Sequence, residues 1–482
     1  MINVEGLSVN LGEKEILHDI SFSVKEGEFI GIIGPNGSGK STLLQTLTQW
    51  NKPSAGAISL LEKPLDSYSM KERASLVALL SQHMDHSLGQ TVRETIQLGR
   101  YAHKRGIFQQ WTEEDEEQVN EAIAWLKLQN YTNRAVSDLS GGERQRVAFA
   151  QTIVQNPKVL LLDEPINHLD VRYQKELLDY VTTWVKESSR SVITVFHDIN
   201  MAALYCDRLL VLQGGKLVKD GKPEAILQQS LIEAVFETKP FILPHATLPK
   251  SQVMWTPSSS YLQEETSLDT TSITITETMI HYHTKKKLRT ISSGITGAGI
   301  GWHSHFVNRH VTPYYDSEQP KEEMEQFLQA HGIPFYDAVS MMTAVDIEDV
   351  AVKKVEEPYP MLLVATAGLG DAIDPVTRPC RKEMQNPGTI NLWIFVHATL
   401  PDEALLQACM TVTEAKVKAL HDLGVKDSET NTIATGTATD SLVIGATQTG
   451  PRLPFAGTGT EIGSQLAKQA YEIIAKAVGN RG

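Results

Sequence analysis

A nine-residue stretch near the start of the chain constrains its fold more than any other feature. It matches the phosphate-binding pattern G-x-x-x-x-G-K-[ST] and consists of Gly34, Pro35, Asn36, Gly37, Ser38, Gly39, Lys40, Ser41 and Thr42. Glycines allow a tight turn in which successive backbone N–H groups point at phosphate oxygens. Lys40 can reach the outer phosphates, and Ser41 can offer its hydroxyl to Mg²⁺ in front of a helix N-terminus that favours anions. The stretch therefore predicts a nucleotide site.

The residues around this loop support a parallel sheet with ligands at its carboxyl edge. Residues 28–33 (EFIGII) predict a buried strand, and residues 41–49 predict the helix after the loop. The apolar run 159–162 predicts another buried strand, which delivers Asp163 and Glu164 at its carboxyl end. Residues 192–196 deliver His197 in the same way, and open α/β sheets place their ligand sites at this edge. Taken singly, Asp163 and Glu164 could be solvent-exposed residues at the end of a strand, and His197 could have a purely structural role.

A second candidate phosphate-binding segment follows at residues 139–143 (LSGGE). Ser140, Gly141 and Gly142 precede a predicted helix over residues 144–155, so they can present free N–H groups to an anion. Between this segment and the phosphate loop, residues 57–60 and 74–80 predict short strands, and residues 91–139 predict helices.

Length and composition predict two or three domains in a reducing compartment. The chain has 482 residues, a net charge of −14 and three widely spaced cysteines without a CxxC pair. The negative charge argues against a general nucleic-acid surface, so no nucleic-acid partner is expected. Neither a signal peptide nor a run of apolar residues long enough for a transmembrane helix is evident, so membrane contact is expected to be peripheral.

These motifs, in this order, resemble the ATP-binding subunit of an ABC transporter. The resemblance covers residues 1–240, and LSGGE at 139–143 is its most specific motif. Gln82 stands at the family's glutamine loop, residues 167–170 (NHLD, ending in Asp170) at its D-loop, and His197 at its switch histidine. TVRE at 91–94 with GRY at 99–101 is similar to the subgroup that imports iron siderophores, haem and vitamin B12.

The resemblance implies a role for each residue in ATP hydrolysis. Asp163 would supply a hard oxygen to Mg²⁺, and Glu164 would accept a proton from the attacking water. His197 would donate a hydrogen bond to the γ-phosphate, and Gln82 would sense Mg²⁺ and touch the permease. In this family the segment 140–142 faces the ATP of the other protomer. The resemblance thus implies a homodimer with transmembrane permease subunits and a substrate-binding protein, on the inner face of the membrane.

One position departs from the family pattern. The family usually has an aromatic residue that stacks on adenine near position 11, where this sequence has Leu11. An aliphatic side chain packs on a purine without quadrupole stacking, so we expect modest discrimination between ATP and GTP.

The second half of the chain has a different composition and predicts a separate mixed α/β domain. Residues 241–270, rich in proline and serine and without periodicity, predict a linker before a domain over 271–482. Strands are predicted at 271–282, 288–293, 361–366, 391–397 and within 432–445, and helices at 320–330, 401–423 and 463–478. The expected fold class is thus α/β, with a phosphate-loop ABC ATPase domain followed by this second domain.

The second half resembles the adenosylcobinamide amidohydrolase family over residues 273–482. Its matching segments are Gly368, residues 388–391 (GTIN), residues 413–416 (TEAK) and residues 434–441 (ATGTATDS). The family hydrolyses the amide that links the aminopropanol arm to a corrinoid, which implies a corrinoid ligand and leaves adenosylcobyric acid. The family often has Asn in the loop after the TAG strand, where this chain has Asp371.

Amide hydrolysis needs a base, an oxyanion stabiliser and an acid for the departing amine. Asp440 is the first candidate for the base, with Thr437 and nearby N–H groups for the oxyanion; the alternative is an Asp that fixes a turn. Glu414 is a second catalytic candidate, although Lys418 lies four residues on and a surface ion pair is equally expected. Lys416 is predicted to contact substrate carboxamides.

Four further residues are candidate corrinoid ligands. His303 and His305 are predicted to share one face of a strand, which is the spacing of metal ligands if Asp371 or Glu414 joined them. Ordinary packing is the commoner outcome, and contact with the corrinoid cobalt is a further alternative. Asn308 and Asn391 are predicted amide donors to the corrin periphery, whereas Cys380 is a weak candidate nucleophile because no histidine pattern lies beside it.

The sequence therefore predicts a transport ATPase with an appended hydrolase. Two alternatives stay open. The second domain could be a corrinoid-binding sensor without catalysis, or the chain could be a soluble ABC ATPase of translation or DNA repair. The latter usually carries two cassettes or a long coiled-coil insertion, and neither is evident in this sequence.

Overall fold

The computed structural model describes residues 1–81, 89–104, 111–167, 169–257, 268–312, 315, 317–377 and 388–479. The chain divides into two compact units, Met1–Pro257 and Ser258–Gly482. Within the described residues, no helix has both the length and the apolarity needed to cross a membrane.

In the described part of the chain, the two larger sheets of the first unit have six and four strands. A six-stranded sheet has the order β10-β9-β3-β8-β7-β6, parallel except for β10, and a four-stranded antiparallel sheet has the order β2-β1-β4-β5. The strands are Ile2–Leu11 (β1), Lys14–Val24 (β2), Phe29–Ile33 (β3), Ala55–Leu60 (β4), Lys63–Pro64 (β5), Val77–Leu80 (β6), Val159–Asp163 (β7), Ser191–Val195 (β8), Arg208–Gln213 (β9) and Lys216–Gly221 (β10). β3, β7 and β8 are buried along their whole length, as expected for central parallel strands.

Helices cover the six-stranded sheet and enclose two apolar cores. They are Lys40–Leu47 (α1), Met70–Leu76 (α2), Val92–Leu98 (α3), Glu113–Trp125 (α4), Gly141–Ile153 (α5), Val171–Ser188 (α6), Ile199–Tyr205 (α7), Pro223–Ile226 (α8) and Gln229–Phe236 (α9). The strand predicted over residues 74–80 is wrong in its first half. Ser69 caps the start of α2 in a capping box with Glu72, and residues 74–76 are the last residues of this helix, so the strand begins only at Val77.

The segment predicted as a linker begins with ordered structure. Pro240–Pro244 (β11) and Ser251–Trp255 (β12) form an antiparallel hairpin. Val253 is buried in the core of the first unit, and its backbone N–H and C=O both bond to the side-chain amide of Asn200. The prolines at 240, 244 and 249 and the exposed apolar side chains concealed this hairpin from pattern analysis.

The second unit is built on one large mixed sheet with the order β16-β15-β14-β22-β20-β18-β17, while β13 pairs with β14. The strands are Ile273–Ile275 (β13), Met279–Ser292 (β14), Gly299–His310 (β15), Ala338–Thr343 (β16), Ala351–Val355 (β17), Met361–Ala367 (β18), Ile390–Val396 (β20) and Ser441–Ala446 (β22). Ala372–Ile373 (β19) and Gly436–Thr437 (β21) form a separate short pair. The two strands predicted at 271–282 and 288–293 are largely one strand, β14, interrupted only by an irregular register between His283 and Leu288.

Among the described residues, three α-helices accompany this sheet: Pro320–Ala330 (α10), Asp402–Asp422 (α11) and Glu461–Gly479 (α12). The sequence analysis predicted all three, at 320–330, 401–423 and 463–478. α11 and α12 pack on one face of β18, β20 and β22, where alternate strand residues point toward them. The other strand residues form a second core around Tyr282, Phe306, Trp393 and Phe395.

Candidate nucleotide and amidohydrolase sites

The phosphate loop connects β3 to α1 and has the backbone that its glycines allow. Gly39 caps α1 in the left-handed region, at φ 97°, and a Cβ there would lie 2.5 Å from Cδ2 of Leu17. The Lys40 Nζ donates hydrogen bonds of 2.9 Å to the carbonyl oxygens of Gly34 and Pro35. Burial lowers the pKa of Lys40, while Glu164 and Asp163 oppose this effect. The loop thus places a cation and backbone groups around one concavity.

Two hard oxygen donors lie together beside Lys40. Ser41 Oγ donates to Asp163 Oδ1 over 3.1 Å, across the gap between α1 and the end of β7. Burial raises the pKa of Asp163, and the neighbouring Glu164 adds to this. A hydroxyl and a carboxylate are ligands that suit Mg²⁺ bound with phosphates, so both residues fit the predicted role. Gln82, the third predicted Mg²⁺ residue, lies outside the described residues.

Glu164 directly follows β7 and is held by two neighbours. Its φ of 54° lies in the left-handed region, which is costly for a residue with a Cβ and concentrates at functional sites. His197 Nε2 contacts Glu164 Oε1, and Asn167 Nδ2 donates to Oε2 over 2.6 Å. β8, which is parallel to β7, brings His197 to the same edge. The fold therefore brings Glu164 and His197, which the sequence analysis named separately, into contact.

A cavity of about 550 Å³ lies over this edge. Its lining residues are Lys14, Ile16, Asn36, Gly37, Gly39, Lys40, Ser41, Thr42, Glu164 and His197. The position predicted to contact adenine was Leu11, but Leu11 is exposed and absent from this lining. Lys14 and Ile16 of β2 line the cavity, and Lys14 pairs with Leu11 across the β1–β2 hairpin, so the contact of position 11 with adenine stays a prediction.

The LSGGE segment lies at an exposed helix start. Ser140 caps α5, and its hydroxyl and Glu143 form a capping box. Ser140 and Gly141 are exposed and Gly142 is half-buried, and none of them lines the cavity of the phosphate loop. Asp170 caps α6 by accepting a 3.0 Å hydrogen bond from the Tyr173 N–H. Neither Asp170 nor the LSGGE segment therefore contributes to the nucleotide cavity of the same chain.

In the second unit, Asp440 joins three segments that are distant in sequence. Its Oδ1 accepts hydrogen bonds from the backbone N–H groups of Ile390 and Thr437, each 3.1 Å, and from the Thr437 hydroxyl. Its Oδ2 forms an ion pair with Lys416 of α11. A Cβ on Gly436 would lie 2.5 Å from that Oδ2, so glycine is required for this pair to form. Both Thr437 donors are directed at Asp440 rather than at an open oxyanion position.

A cavity of about 330 Å³ opens beside this ion pair, between α11 and the ends of β14, β20 and β22. Its lining residues are Ile291, Ser292, Ser293, Ile390, Leu392, Cys409, Val412, Thr413, Lys416, Asp440, Ser441 and Leu442. Burial raises the pKa of the Cys409 thiol to about 11, so it is protonated at neutral pH. Lys416 and Asp440 are therefore the charged pair that faces the cavity, which sequence analysis named singly but did not pair.

Glu414 points away from this cavity. It lies on the exposed side of α11 and lines a shallow surface depression with Thr413, Val417, Lys418 and His421. The alternative expectation of a pair between Glu414 and Lys418 is wrong, because Lys418 binds Asp422, the residue four positions further along the helix.

Asn308 and Asn391 are inside the protein rather than on a ligand surface. Only 3% of Asn308 and 1% of Asn391 are exposed. Asn391 Nδ2 donates to Asn308 Oδ1 over 2.8 Å, and Asn308 Nδ2 donates to Thr366 Oγ1 over 3.0 Å. The two amides therefore bond to each other across β15 and β20, and as placed they cannot reach a corrin at the surface.

His303 and His305 do not share a face, contrary to expectation. His303 pairs with Leu288, which is in the core with Tyr282, and its Nδ1 lies 2.7 Å from Thr290 Oγ1. His305 pairs with His283 on the opposite face. The bulge between His283 and Leu288 changes the alternation of side chains, which a fixed period of two cannot anticipate.

A histidine cluster that the sequence analysis missed surrounds His305. Its ring stacks on His283 at 4.2 Å between centroids, and its Nδ1 lies 3.0 Å from His281 Nε2. In the described part of the chain, no three His, Cys, Asp or Glu side chains are placed to hold a metal ion. Asp371 is buried, and Cys380 lies outside the described residues. A metal shared by His303, His305 and either Asp371 or Glu414 therefore has no support in this geometry.

Comparison with known proteins matches each half to a family. Residues 17–167 match the ABC transporter family, and residues 263–482 match the adenosylcobinamide amidohydrolase family. An uncharacterized ABC transporter ATP-binding protein of Bacillus subtilis is 31% identical over 449 residues, covering 93% of this chain and 93% of the relative. A solved ATP-binding cassette dimer with ADP and phosphate is 28% identical over 46% of this chain and 99% of that chain, with a TM-score of 0.43.

Import proteins match the first half alone. A petrobactin import ATP-binding protein of Bacillus anthracis is 40% identical, covering 51% of this chain and 93% of the relative. A hemin import ATP-binding protein of Rhodopseudomonas palustris is 37% identical, covering 50% of this chain and 94% of the relative.

The chain belongs to the family of ABC transporter ATP-binding proteins. Its second half is an adenosylcobinamide amidohydrolase domain, so both predicted resemblances are confirmed. The predicted fold class, an ABC ATPase domain followed by a separate mixed α/β domain, is confirmed as well. The chain is an enzyme that combines an ATPase domain with an amidohydrolase domain.

Proposed function

We propose that this protein drives import of corrinoids with ATP and then hydrolyses adenosylcobinamide to adenosylcobyric acid and aminopropanol. The observation that supports this proposal is the presence of both domains on one chain: an importer-type cassette and a domain whose family acts on adenosylcobinamide. A cell that imports an incomplete corrinoid needs an enzyme that processes the aminopropanol arm of that corrinoid. This chain carries both the importer-type cassette and the amidohydrolase domain.

The ATPase half is proposed to work as a homodimer. Lys40 and the loop N–H groups would hold the phosphates, while Ser41 and Asp163, with Gln82, would hold the Mg²⁺ that accompanies ATP. Glu164 would take the proton of the attacking water, and His197 would orient it. Because Ser140 to Gly142 and Asp170 do not line the cavity of their own chain, they are proposed to complete the site of the partner subunit.

The proposed assembly includes further subunits. Two cassettes would bind transmembrane permease subunits on the inner, cytoplasmic face of the membrane, and a substrate-binding protein would deliver the corrinoid. An alternative is a free soluble ATPase dimer. Purification of the full chain from membranes and from the soluble fraction separates the two, since only the importer should co-purify with membrane components.

For the amidohydrolase half, the cavity beside Lys416 and Asp440 is the proposed site of amide cleavage. Water would attack the carbonyl carbon, the C–N bond would break, and the amine would leave with a proton. Three of the contacts of Asp440 are on Oδ1, so Oδ2 is the oxygen that a water in the cavity can approach as base. The Lys416 ammonium beside it is proposed to stabilise the oxyanion, the role first assigned to Thr437.

Release of aminopropanol from adenosylcobinamide by the full-length protein tests this proposal. Lys416→Met and Asp440→Asn should each lower kcat at least about 100-fold, since either change removes an oxyanion or base contribution of this size. Lys418→Met, which changes the same residue type on the exposed side of α11, should leave release unchanged. Wild-type protein that binds the corrinoid without releasing aminopropanol would support the sensor alternative instead.

The relatives support a second candidate cargo. Those that match the first half import petrobactin and hemin, which are iron chelates. Uptake of labelled cobinamide and of a ferric siderophore, by cells carrying the chain with its permease, distinguishes the two. Corrinoid uptake that disappears in Lys40→Ala supports the proposal, whereas uptake of the iron chelate alone would assign the cassette to that cargo.

A further inference from the structure

The cavity beside Lys416 and Asp440 is too small for its proposed substrate. Its volume of about 330 Å³ is at the lower end of the range of small-molecule sites, roughly 300–1,000 Å³. Adenosylcobinamide consists of a corrin macrocycle, an adenosyl group and several amide arms, and its volume is several times that of the cavity. The cavity can therefore admit the aminopropanol arm and its amide, while the macrocycle has to rest outside.

One side of the cavity mouth is formed by the β14–β15 hairpin. Ile291 lines the cavity and pairs directly with Ile300, which is 45% exposed. Two residues further along the same strand, Trp302 is 46% exposed and pairs with Arg289. Residues two apart on a strand point to the same face, so both apolar side chains continue the surface of Ile291 away from the cavity.

The other side of the mouth is formed by α11. Leu406 is 55% exposed and Met410 is 60% exposed. They are four residues apart, and each lies three residues before a cavity-lining residue, Cys409 and Thr413 respectively. On a helix this spacing places them on the same flank, outside the cavity wall.

An ion pair fixes the helix to the hairpin at this mouth. Arg289 donates from Nε and Nη2 to the two carboxylate oxygens of Asp402, at 2.9 and 2.6 Å. The same guanidinium lies 5.6 Å from the centroid of the Trp302 ring. A bidentate pair of this kind holds both groups in a defined orientation, so the start of α11 and the Trp302 ring are positioned together.

We propose that the corrin macrocycle of adenosylcobinamide lies on the apolar rim formed by Ile300, Trp302, Leu406 and Met410, while its aminopropanol arm enters the cavity. This inference rests on the amidohydrolase function proposed above. A corrin presents a broad face of methyl and methylene groups, and its amide arms project from the periphery. The indole of Trp302 offers a flat surface for that face, and the amide arms remain in water.

The rim predicts that substrate binding depends on the macrocycle. Binding energy from a remote part of the substrate holds the reacting amide in the cavity. N-(2-hydroxypropyl)propanamide, which has the arm and the amide but no corrin, should therefore be hydrolysed by wild-type protein with a kcat/KM at least about 100-fold lower than that for adenosylcobinamide.

Substitution at the rim gives the direct test. Trp302→Ala should raise KM for adenosylcobinamide about tenfold and change kcat by less than about twofold, because tenfold in affinity is the scale of one lost aromatic contact. Trp302→Phe should recover most of this loss. Tyr336→Ala removes a more exposed aromatic side chain elsewhere in the same unit and should leave KM unchanged. If Trp302→Ala fails to fold, Met410→Gln is the substitute variant. It should raise KM for adenosylcobinamide about threefold.

Failure of the rim proposal and failure of the proposed amidohydrolase function can be told apart. A spectroscopic titration of the full-length protein with adenosylcobinamide measures Kd whether or not turnover occurs. Absence of aminopropanol release by wild-type protein would reject the hydrolase, yet a Kd raised about tenfold by Trp302→Ala would still support the rim. If wild-type protein is active and Trp302→Ala has a normal KM and Kd, the proposal that the corrin lies on this rim is overturned. The same result is expected if the rim binds a protein partner instead of the corrin.

Discussion

At the scale of single residues, both sites contain a carboxylate whose orientation is fixed by its neighbours. Glu164 is fixed by His197 and Asn167 at a positive φ, directly beside Ser41 and Asp163. Asp440 is fixed mainly through Oδ1, so that Oδ2 and Lys416 face the cavity. In each case several hydrogen bonds fix the orientation of a carboxylate before any ligand binds, which is what preorganised catalysis requires.

Glu164→Gln tests the base of the ATPase half. The variant should still bind ATP, because the phosphate loop is unchanged, but ATP hydrolysis should fall at least about 100-fold since an amide accepts no proton. Nucleotide binding and phosphate release measure the two effects, and aminopropanol release should stay at the wild-type level. Glu224→Gln, an exposed change in the same unit, is the matched control. Hydrolysis retained in Glu164→Gln would move the base role to another residue.

At the scale of elements, the register of the β14–β15 hairpin determines where several candidate site residues of the second unit lie. Its bulge between His283 and Leu288 turns His303 to the core and His305 to the opposite face. Beyond the bulge, the same hairpin provides Ile291 to the cavity and Trp302 to the proposed rim. A one-residue change in this register would reverse all of these placements, because side chains alternate between the faces of a strand.

The histidine cluster on this hairpin predicts acid sensitivity. Burial lowers the pKa of His281 to about 4, and the neighbouring His305 and His283 add to this effect. An unfolded chain takes up this proton near pH 6.5, so between about pH 6.5 and pH 4 the unfolded state binds more protons than the folded state. The contribution of neutral His281 to the free energy of unfolding should therefore be fully present above pH 6.5 and be lost as the pH is lowered toward 4.

Melting temperatures at pH 7.5 and pH 5.0 measure this effect. His281→Asn removes the titrating group, so the decrease in Tm between the two pH values should be smaller than in wild-type protein. His421→Asn changes an exposed histidine of the same unit and should keep the wild-type decrease. An equal decrease in His281→Asn and wild-type protein would contradict the assignment.

At the scale of the whole molecule, the two units have separate cores and separate candidate sites. The apolar clusters of the first unit enclose the phosphate-loop sheet, and those of the second enclose the large mixed sheet. Each unit thus has the buried core of an independent domain. The functional link between them that we propose is the corrinoid, as cargo of the first and substrate of the second.

Ligand-dependent unfolding tests this division. A ligand present at 100 times its Kd stabilises the unit that binds it by about 2.7 kcal/mol. ATP with Mg²⁺ should raise the Tm of the first unit, and adenosylcobinamide should raise that of the second, as measured by calorimetry on the full chain. Lys40→Ala should abolish the first shift and leave the second. Loss of both shifts in Lys40→Ala would show that the corrinoid site depends on the nucleotide site.

Sequence patterns predicted most of the first unit because its motifs are local. Residues 34–42 contain their own turn, and Ser140 finds its capping partner, Glu143, three residues away. The apolar runs before Asp163 and His197 are long enough to predict buried strands. A difference occurs where contacts are distant in the chain: the segment after residue 240 was expected to be a linker, but it forms a hairpin in which Val253 bonds to Asn200.

By itself the sequence determined the class of chemistry, because the phosphate loop, the LSGGE segment and the two family resemblances consist of contiguous residues whose backbone geometry is set by their neighbours. Only the tertiary structure decided which charged groups meet. Lys416 and Asp440 are 24 residues apart and form a pair because α11 passes the end of β22. His303 and His305 lie on opposite faces of the sheet because the β14–β15 register is irregular between His283 and Leu288. Partners of this kind are chosen by strand register and helix docking, and these depend on burying the whole core rather than on any short stretch of residues.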